Sequence, residues 1–169
     1  ALRAHMVESI GRALQGSKNE ETAETLERLK RFWEWRFAAV QAAGRKGEHT
    51  AEVVPFGWWF ASGKFDEDWA LAQLEAVLGI VGKVEYDNIV VERLVEFART
   101  KPLPVVRCLK GFVEGDKEGW GVVSWEDEAK TILRTALASD DPAARDAATD
   151  LVHRLGARGY MGFRELVRR

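Results

Sequence analysis

An internal repeat of 38 residues constrains this chain more than any other feature of its 169 residues. The two best-matched copies each contain a proline that opens an apolar segment with helical spacing, followed three positions later by an arginine. Pro104 aligns with Pro142 and Arg107 with Arg145, so both pairs are 38 residues apart. A unit repeated at this period cannot bury its apolar face alone, so neighbouring copies stack into one core. The repeat therefore predicts an array of antiparallel helix pairs.

Helical spacing of apolar residues recurs along the rest of the chain, and no long segment alternates apolar and polar residues. We predict a single all-α domain over residues 1–169: a short right-handed solenoid of about three antiparallel helix pairs, preceded by two N-terminal helices. The predicted segments are an N-terminal helical pair over 7–43, repeats over 51–81, 87–114 and 125–156, and a short C-terminal helix over 160–169. The copy over 51–81 keeps the helix spacing but lacks the proline and arginine.

The N-terminal pair includes a long predicted helix, from about residue 20 to residue 43, that carries two apolar stripes. One stripe contains Leu26, Leu29, Trp33, Phe37 and Val40; the other contains Phe32, Trp35 and Ala39. A helix that is apolar on two sides is usually sandwiched between neighbours. The polar stretch from Gly44 to His49 is a predicted loop.

Capping residues predict where the later helices begin and end. Asp87 and Ser124 are predicted N-caps, because their side-chain oxygens accept hydrogen bonds from free amides of the first turn. Asp141-Pro142 is expected to begin a helix, with the proline at the first helical position. Pro104 is expected to open the second helix of the preceding repeat. Gly156 is the predicted C-cap glycine of the last long helix.

The Asp-Pro helix resembles the second helix of a HEAT repeat. That family's pattern has Asp-Pro, a small or branched residue, Arg, paired alanines and a closing Leu-Gly. This chain has Asp141-Pro142-Ala143-Ala144-Arg145-Asp146-Ala147-Ala148 and, further on, Leu155-Gly156. The resemblance is good over 125–156, fair over 87–114 and poor over 51–81, and it leaves out the N-terminal third. It implies a superhelical scaffold that binds proteins and sometimes nucleic acid, and so bears on fold more than on function.

A narrower resemblance rests on two other stretches. The run 59–66 (Trp-Phe-Ala-Ser-Gly-Lys-Phe-Asp) with Trp69, and the ending from Arg154 to Val167, look similar to C-terminal helical regions of large bacterial proteins with sirtuin-like or STAND-type NTPase modules. Such proteins are associated with antiviral defence. The resemblance implies a sensor or assembly region, with effector chemistry in upstream domains of the same parent chain. Because the sequence starts with Ala1, we expect a fragment of a longer protein, and His5-Met6 leaves open whether residues 1–6 are native.

The composition of the chain excludes several classes of protein and site. Hydrophobic residues make up 46% of the chain, which is enough to bury a core, and the net charge of −2 is unlike that of a globally basic nucleic-acid binder. The single cysteine, Cys108, excludes an intrachain disulfide and a four-cysteine zinc site, and favours a reducing, cytoplasmic compartment. No apolar stretch reaches the ~18 residues of a membrane span, and no signal peptide is visible.

No pattern in the sequence predicts catalysis, a metal or a cofactor. The glycines before Lys64 have the wrong spacing for a phosphate loop, and no two histidines are four residues apart. His153 is predicted to lie at the surface and Cys108 in or beside the core. The acidic clusters stand at predicted helix starts, where negative charge complements the helix dipole: Asp66-Glu67-Asp68, Glu126-Asp127 and Asp140-Asp141.

The leading hypothesis is therefore a non-catalytic module that binds a protein partner or upstream domains of its parent chain. The second helices of the repeats would line a concave face, and Trp120 in the acidic, Gly-rich loop over 114–121 is the best candidate for an exposed aromatic anchor. The candidate binding residues are Arg107, Lys110, Trp120, Arg145, Arg154 and Arg158. Two alternatives remain: nucleic-acid binding through the arginine-rich C-terminal end, and a HEAT-like alkylpurine DNA glycosylase.

Overall fold

The computed structural model describes residues 2–44 and 49–168. Every regular element within these ranges is helical and none is a strand, which confirms the predicted all-α class. Most of the predicted loop over 44–49 lies outside the described residues. The chain divides into two compact units, Ala1–Val90 and Val91–Arg169, and the boundary falls within helix α5 (Asp87–Phe97). None of the described helices is both long and apolar enough to cross a lipid bilayer.

The first unit contains α1 (Leu2–Gly16), α2 (Ala23–Ala43), a 3-10 helix (Thr50–Glu52), α3 (Phe56–Ala61) and α4 (Glu67–Val81). Local sequence explains where the long helices begin, because the side chain of Thr22 accepts a hydrogen bond from Thr25 N and that of Asp66 from Trp69 N. Helix α4 ends at Gly82, whose φ of 70° is a left-handed conformation that glycine adopts without strain.

Aromatic side chains fill the core of the first unit. Trp33 of α2 packs against Phe56 of α3, with ring centroids 4.4 Å apart, and lies 5.8 Å from Trp59. The indole of Trp59 donates a hydrogen bond of 2.8 Å to Val7 O of α1, so the ring is both buried and satisfied. These rings hold α1, α2 and α3 together.

Only one of the two apolar stripes predicted for α2 is buried. Trp33, Phe37 and Val40 face the core, whereas Trp35 is 63% exposed and Ala39 is also exposed. The second stripe is only partly covered: Phe32 stacks on Trp59 of α3, with ring centroids 6.5 Å apart, whereas Trp35 and Ala39 are left exposed, so the helix is not sandwiched along its length. Trp35 instead lies beside its own neighbour Arg36, whose guanidinium is 4.6 Å from the indole centroid.

The second unit contains the end of α5, then α6 (Pro102–Gly115), α7 (Trp120–Ser124), α8 (Glu126–Leu137), α9 (Pro142–Ala157) and a 3-10 helix (Met161–Val167). Helices α6, α8 and α9 pack against one another, and the final 3-10 helix packs on α9. Their apolar faces are buried at the positions that the helical spacing predicts, including Leu109, Leu133 and Leu151.

Several predicted helix boundaries are wrong in detail. Helix α6 begins at Pro102 and not at Pro104, since a proline is tolerated anywhere in a first turn whose amides have no helical partner. Asp87 is the first residue of α5 and caps only the adjacent amide, Asn88 N. Ser124 ends α7, and its hydroxyl donates to Gly121 O. Helix α8 follows Trp125, which provides no side-chain cap.

The last long helix begins as predicted but ends later. Asp141 Oδ1 accepts a hydrogen bond of 2.9 Å from Ala143 N, and Pro142 is the first helical residue. Gly156 is not the C-cap, because α9 continues to Ala157. Gly156 is instead a close-packing position, where a Cβ would lie 2.7 Å from Arg164 Nε of the 3-10 helix. Gly159, with φ 97°, is the residue that turns the chain.

Candidate functional site

The six predicted binding residues all lie in the second unit, and the structure gives them different surroundings. Arg145 is held at the turn before α9, where its Nη1 donates a hydrogen bond of 2.7 Å to Ser139 O. Arg145 therefore binds a carbonyl of the turn between the two helices of its repeat. Arg107, its counterpart 38 residues earlier, is exposed and makes no such bond. The repeat therefore conserves the position of the arginine but not its contact.

Arg158 is also held within the protein. Its guanidinium donates hydrogen bonds to the main-chain oxygens of Val113 and Asp116, at the C-terminal end of α6. The ring of Tyr160 lies 5.9 Å from its Cζ. Because the last carbonyls of a helix have no helical partner, these bonds satisfy the end of α6 and join it to the segment after α9.

Lys110 and Arg154 meet at one carboxylate. Glu114 Oε1 lies 3.8 Å from Lys110 Nζ and 3.4 Å from Arg154 Nη1, which joins α6 to α9. Arg154 also donates a hydrogen bond of 2.8 Å to Asp150, and this bond, with the charge of that carboxylate, raises the pKa of the guanidinium. All these side chains are about half exposed, so the network is a solvated surface feature and contributes little to stability.

The arginine-rich C-terminal end is largely engaged in these contacts. Arg154 is paired with acids, Arg158 binds carbonyls, and Arg164 Nη2 donates to Gly156 O at 3.3 Å. A phosphate-binding surface needs basic groups that are free to replace counterions. The observed placement therefore does not favour the nucleic-acid alternative.

Trp120 differs from the other candidates, because its side chain is 75% exposed. The structure places it at the start of the short helix α7 and not in a loop, which corrects the predicted loop over 114–121. Asp116 creates this helix start: its carboxylate accepts hydrogen bonds from Gly119 N at 3.0 Å and from Val122 N at 2.8 Å. The side chain of Val122 is buried beneath, so α7 is anchored to the unit.

Two further exposed apolar side chains accompany Trp120. Val123 lies one helical turn away on the same face of α7, and Met161 begins the C-terminal 3-10 helix. The residues that precede these two elements are joined, because Tyr160 Oη donates a hydrogen bond of 3.3 Å to Gly119 O. Val123 is 59% exposed and Met161 53%. We refer to Trp120, Val123 and Met161 as the α7 surface.

A groove of about 690 Å³ lies elsewhere in the second unit. It is bordered by the turn after α5, the start of α6 and the end of α8. Its lining residues are Arg99, Pro102, Thr131, Arg134, Thr135, Ala138, Ser139 and Asp140. The predicted binding residues do not include this groove, because the predicted arginines belong to the second helices or follow them, whereas Arg99 follows the first helix α5 and Arg134 lies near the end of the first helix α8. The sequence signal for this groove was a basic residue near the end of the first helix in each of the two repeats.

The cysteine, histidine and acidic residues with possible catalytic chemistry lie in the core, at the surface or at helix starts. Cys108 is fully buried in α6, as expected of a core residue, and His153 is exposed on α9. Asp66 and Asp141 cap helices, as predicted. In the ranges 2–44 and 49–168, no group of three or more His, Cys, Asp and Glu side chains is positioned to hold a metal ion.

A charged cluster that the sequence analysis missed lies in the first unit. Arg36 and Glu52 are both buried and form an ion pair, and His49 Nδ1 lies 3.0 Å from the second oxygen of Glu52. The spacing of Arg36 from Trp33 and Val40 places it on the buried face of α2, and this spacing was the sequence signal for a buried charge.

Comparisons with protein-family models, with curated proteins and with solved structures found no match to this chain.

Proposed function

We propose that this chain is a non-catalytic protein-interaction module that binds its partner through the α7 surface. The observation that carries the proposal is the exposure of Trp120, Val123 and Met161 on two elements whose preceding residues, Gly119 and Tyr160, are hydrogen-bonded. Large apolar side chains grouped at the surface are typical of interaction sites, and tryptophan is enriched among the residues that dominate binding energy.

The α7 surface is rigid enough to recognise a partner without prior folding. Asp116 caps the first turn of α7, Tyr160 bonds to the residue before Trp120, and Val122 is buried under the helix. A surface held in its binding geometry loses little conformational entropy when the partner binds.

The charges around this surface indicate the chemistry of the partner. Residues 114–127 contain five acidic residues and one lysine. Glu118 and Asp127 flank α7 in the sequence, are exposed, and form no ion pair within the described part of the chain. An apolar surface with an acidic border is complementary to an amphipathic protein segment that carries lysine or arginine beside its apolar side chains. We take such a segment as the partner.

The HEAT-like solenoid is part of the same proposal. It is supported by the capping of α9 by Asp141, by the turn contact of Arg145 and by the packing of α6 against α9. Stacked helix pairs of this kind characteristically bind proteins. In a bacterial, cytoplasmic defence protein, which the narrower resemblance implies, the basic segment would belong to the same parent chain.

The proposal is tested with two synthetic amphipathic helical peptides of matched length and apolar pattern, one carrying lysines and the other glutamates on its polar face. Titration by fluorescence anisotropy should detect binding of the lysine peptide and much weaker binding of the glutamate peptide. Trp120→Ala should weaken lysine-peptide binding by about tenfold or more, since the side chain is the central anchor.

Trp35→Ala is the matched control, because it removes an exposed tryptophan from the first unit. Its affinity should equal that of the wild type. Equal losses in the two variants, equal binding of both peptides, or no binding of either peptide would each contradict the proposal. Far-UV circular dichroism checks that both variants keep their helical content.

A further inference from the structure

The groove bordered by α6 and α8 is separate in its residues and its charge from the α7 surface. We propose that it binds an acidic peptide segment, with a carboxylate of the ligand held by Arg99 and Arg134. This inference does not depend on the proposed function of the α7 surface.

The two arginines of the groove have no partner within the part of the chain that the structure describes. Most basic side chains of the second unit are engaged, as Lys130 is with Glu126 and Arg154 is with Asp150. Arg99 and Arg134 are exposed and have no hydrogen bond or ion pair with any residue in the described ranges. A guanidinium presents several donors in a plane and binds carboxylates with two parallel hydrogen bonds. Two unpaired guanidinium groups line one groove, so both can donate to the same anionic ligand.

The wall of the groove also offers hydrogen-bond acceptors. The hydroxyl of Thr131 donates to Asp127 O at 2.9 Å and that of Thr135 donates to Thr131 O at 2.8 Å. Because each hydroxyl proton is already donated to a main-chain carbonyl of α8, both oxygens can only accept hydrogen bonds from a ligand. The groove thus combines donors on the arginines with acceptors on the threonines. A peptide supplies both complements, through its carboxylates and its main-chain N–H groups.

Negative charge within the groove favours a peptide over a nucleic acid. Asp140 lines the same groove, and the carbonyl end of α8 adds a partial negative charge beside it. A phosphodiester backbone carries a negative charge at every residue and no N–H donor, so it would meet repulsion and leave the threonine oxygens unpaired. A peptide can place an acidic side chain near the arginines and an amide near Asp140. The volume of about 690 Å³ lies within the range of small-ligand and peptide pockets.

The test uses the full chain and a fluorescein-labelled hexaglutamate peptide, with a labelled hexalysine peptide and a single-stranded hexanucleotide as comparison probes. Binding is measured by anisotropy at low and at physiological salt. The wild type should bind hexaglutamate more tightly than either comparison probe. Arg99→Gln and Arg134→Gln should each weaken that binding by about tenfold, because each removes a charge-assisted pair.

Two further variants make the result specific. Arg168→Gln removes the same charge from an exposed arginine outside the groove lining and should leave the affinity unchanged. Asp140→Asn removes the repelling charge and should tighten hexaglutamate binding. Arg134→Lys keeps the charge but loses the bidentate geometry, so it should bind more weakly than the wild type.

The proposal is overturned if hexaglutamate does not bind at low salt, or if Arg168→Gln weakens binding as much as the groove variants. It is also overturned if the hexanucleotide binds more tightly and is lost with the same variants, since the groove would then bind phosphates. Trp120→Ala should leave hexaglutamate binding intact, so failure at the α7 surface and failure at the groove are distinguishable.

Discussion

Arg36 and Glu52 form a buried ion pair in the first unit, in which Arg36 Nη2 lies 2.5 Å and Nε 3.1 Å from Glu52 Oε2. The other oxygen of the carboxylate faces His49 Nδ1 at 3.0 Å. The pair joins α2 to the 3-10 helix that precedes α3. Removing Glu52 would leave the guanidinium of Arg36 buried without its carboxylate, and removing Arg36 would leave Glu52 buried with only His49 beside it.

Arg36→Met is therefore expected to lower the free energy of unfolding by about 3–5 kcal/mol, because Glu52 would remain buried with only His49 beside it. The double variant Arg36→Met with Glu52→Leu should recover most of this loss, since no charge is then left inside. Urea denaturation measures the free energy of unfolding of the single and the double variant. The control is Arg28→Met, which removes an exposed pair with Glu24 and should change stability by less than about 1 kcal/mol. Additive effects of the two buried substitutions would contradict the pairing.

The same pair predicts how stability depends on pH. Burial raises the pKa of Glu52, but the hydrogen bonds and positive charge of Arg36, helped by His49, outweigh it and lower the pKa below the ordinary value of 4.5. A carboxyl with a lowered pKa in the folded state stabilises the fold above its unfolded pKa, and the contribution is lost as the pH falls through the folded pKa. The free energy of unfolding should therefore decrease as the pH falls below 4.5.

Glu52→Gln tests this assignment, because it removes the titrating group and keeps the shape of the side chain. Its unfolding free energy should depend less steeply on pH in the acidic range. Asp66, whose pKa is lowered by its hydrogen bond with Lys30, titrates in the same direction and accounts for part of the remaining slope. An unchanged slope in Glu52→Gln would rule out Glu52 as a source of the acid sensitivity.

Gly57 is required by a close approach of main chains. A Cβ at this position would lie 1.6 Å from the carbonyl oxygen of Glu85, a distance that no side-chain movement can relieve. Gly57→Ala should therefore lower the melting temperature strongly, with a loss of about 3 kcal/mol or more. Gly79→Ala is the matched control, since Gly79 lies in α4 with nothing within 4 Å of its Cβ position. That substitution should stabilise the protein by about 0.5–1 kcal/mol through helix propensity, and the two changes should have opposite signs.

Trp125 and Trp59 differ in whether the indole N–H is satisfied. Both side chains are buried, but Trp125 Nε1 has no hydrogen-bond partner in the described part of the chain, whereas Trp59 Nε1 donates to Val7 O. Replacement by phenylalanine removes similar volume at both positions, so Trp125→Phe should cost about 1 kcal/mol less than Trp59→Phe. Chemical denaturation decides the comparison, and equal losses would contradict it.

Asp116 links stability to the proposed binding surface. Its carboxylate is the acceptor for two amides at the start of α7, so Asp116→Ala should release residues 117–123 and increase their hydrogen exchange. Affinity for the lysine peptide should fall although no contact residue is changed. Asp116→Asn retains a side-chain acceptor and should lose less of both properties. Normal protection of 117–123 in Asp116→Ala would show that the cap is dispensable.

Local patterns predicted most of the helical structure and failed at particular places. Asp141-Pro142 begins α9 as expected, and Trp33, Phe37 and Val40 are buried together, because a cap and a helical stripe depend on residues a few positions apart. Trp35 was expected inside and is exposed, since a second apolar stripe is buried only if another helix covers it. Ser124 was expected to cap α8, but whether a serine begins one helix or ends another depends on the neighbouring turn.

The sequence by itself therefore determined an all-helical chain, the start of α9 and the exposure of Trp120, because these follow from periodicity, capping and local polarity. Only the tertiary structure decided which charges are free. Arg158 meets Val113 across 45 residues of sequence and is occupied by a helix end, whereas Arg99 and Arg134 converge on one groove without partners. The residues next to a charged side chain in the sequence do not show which group it will pair with. The pairing depends on which helix ends come together when α6, α8 and α9 pack.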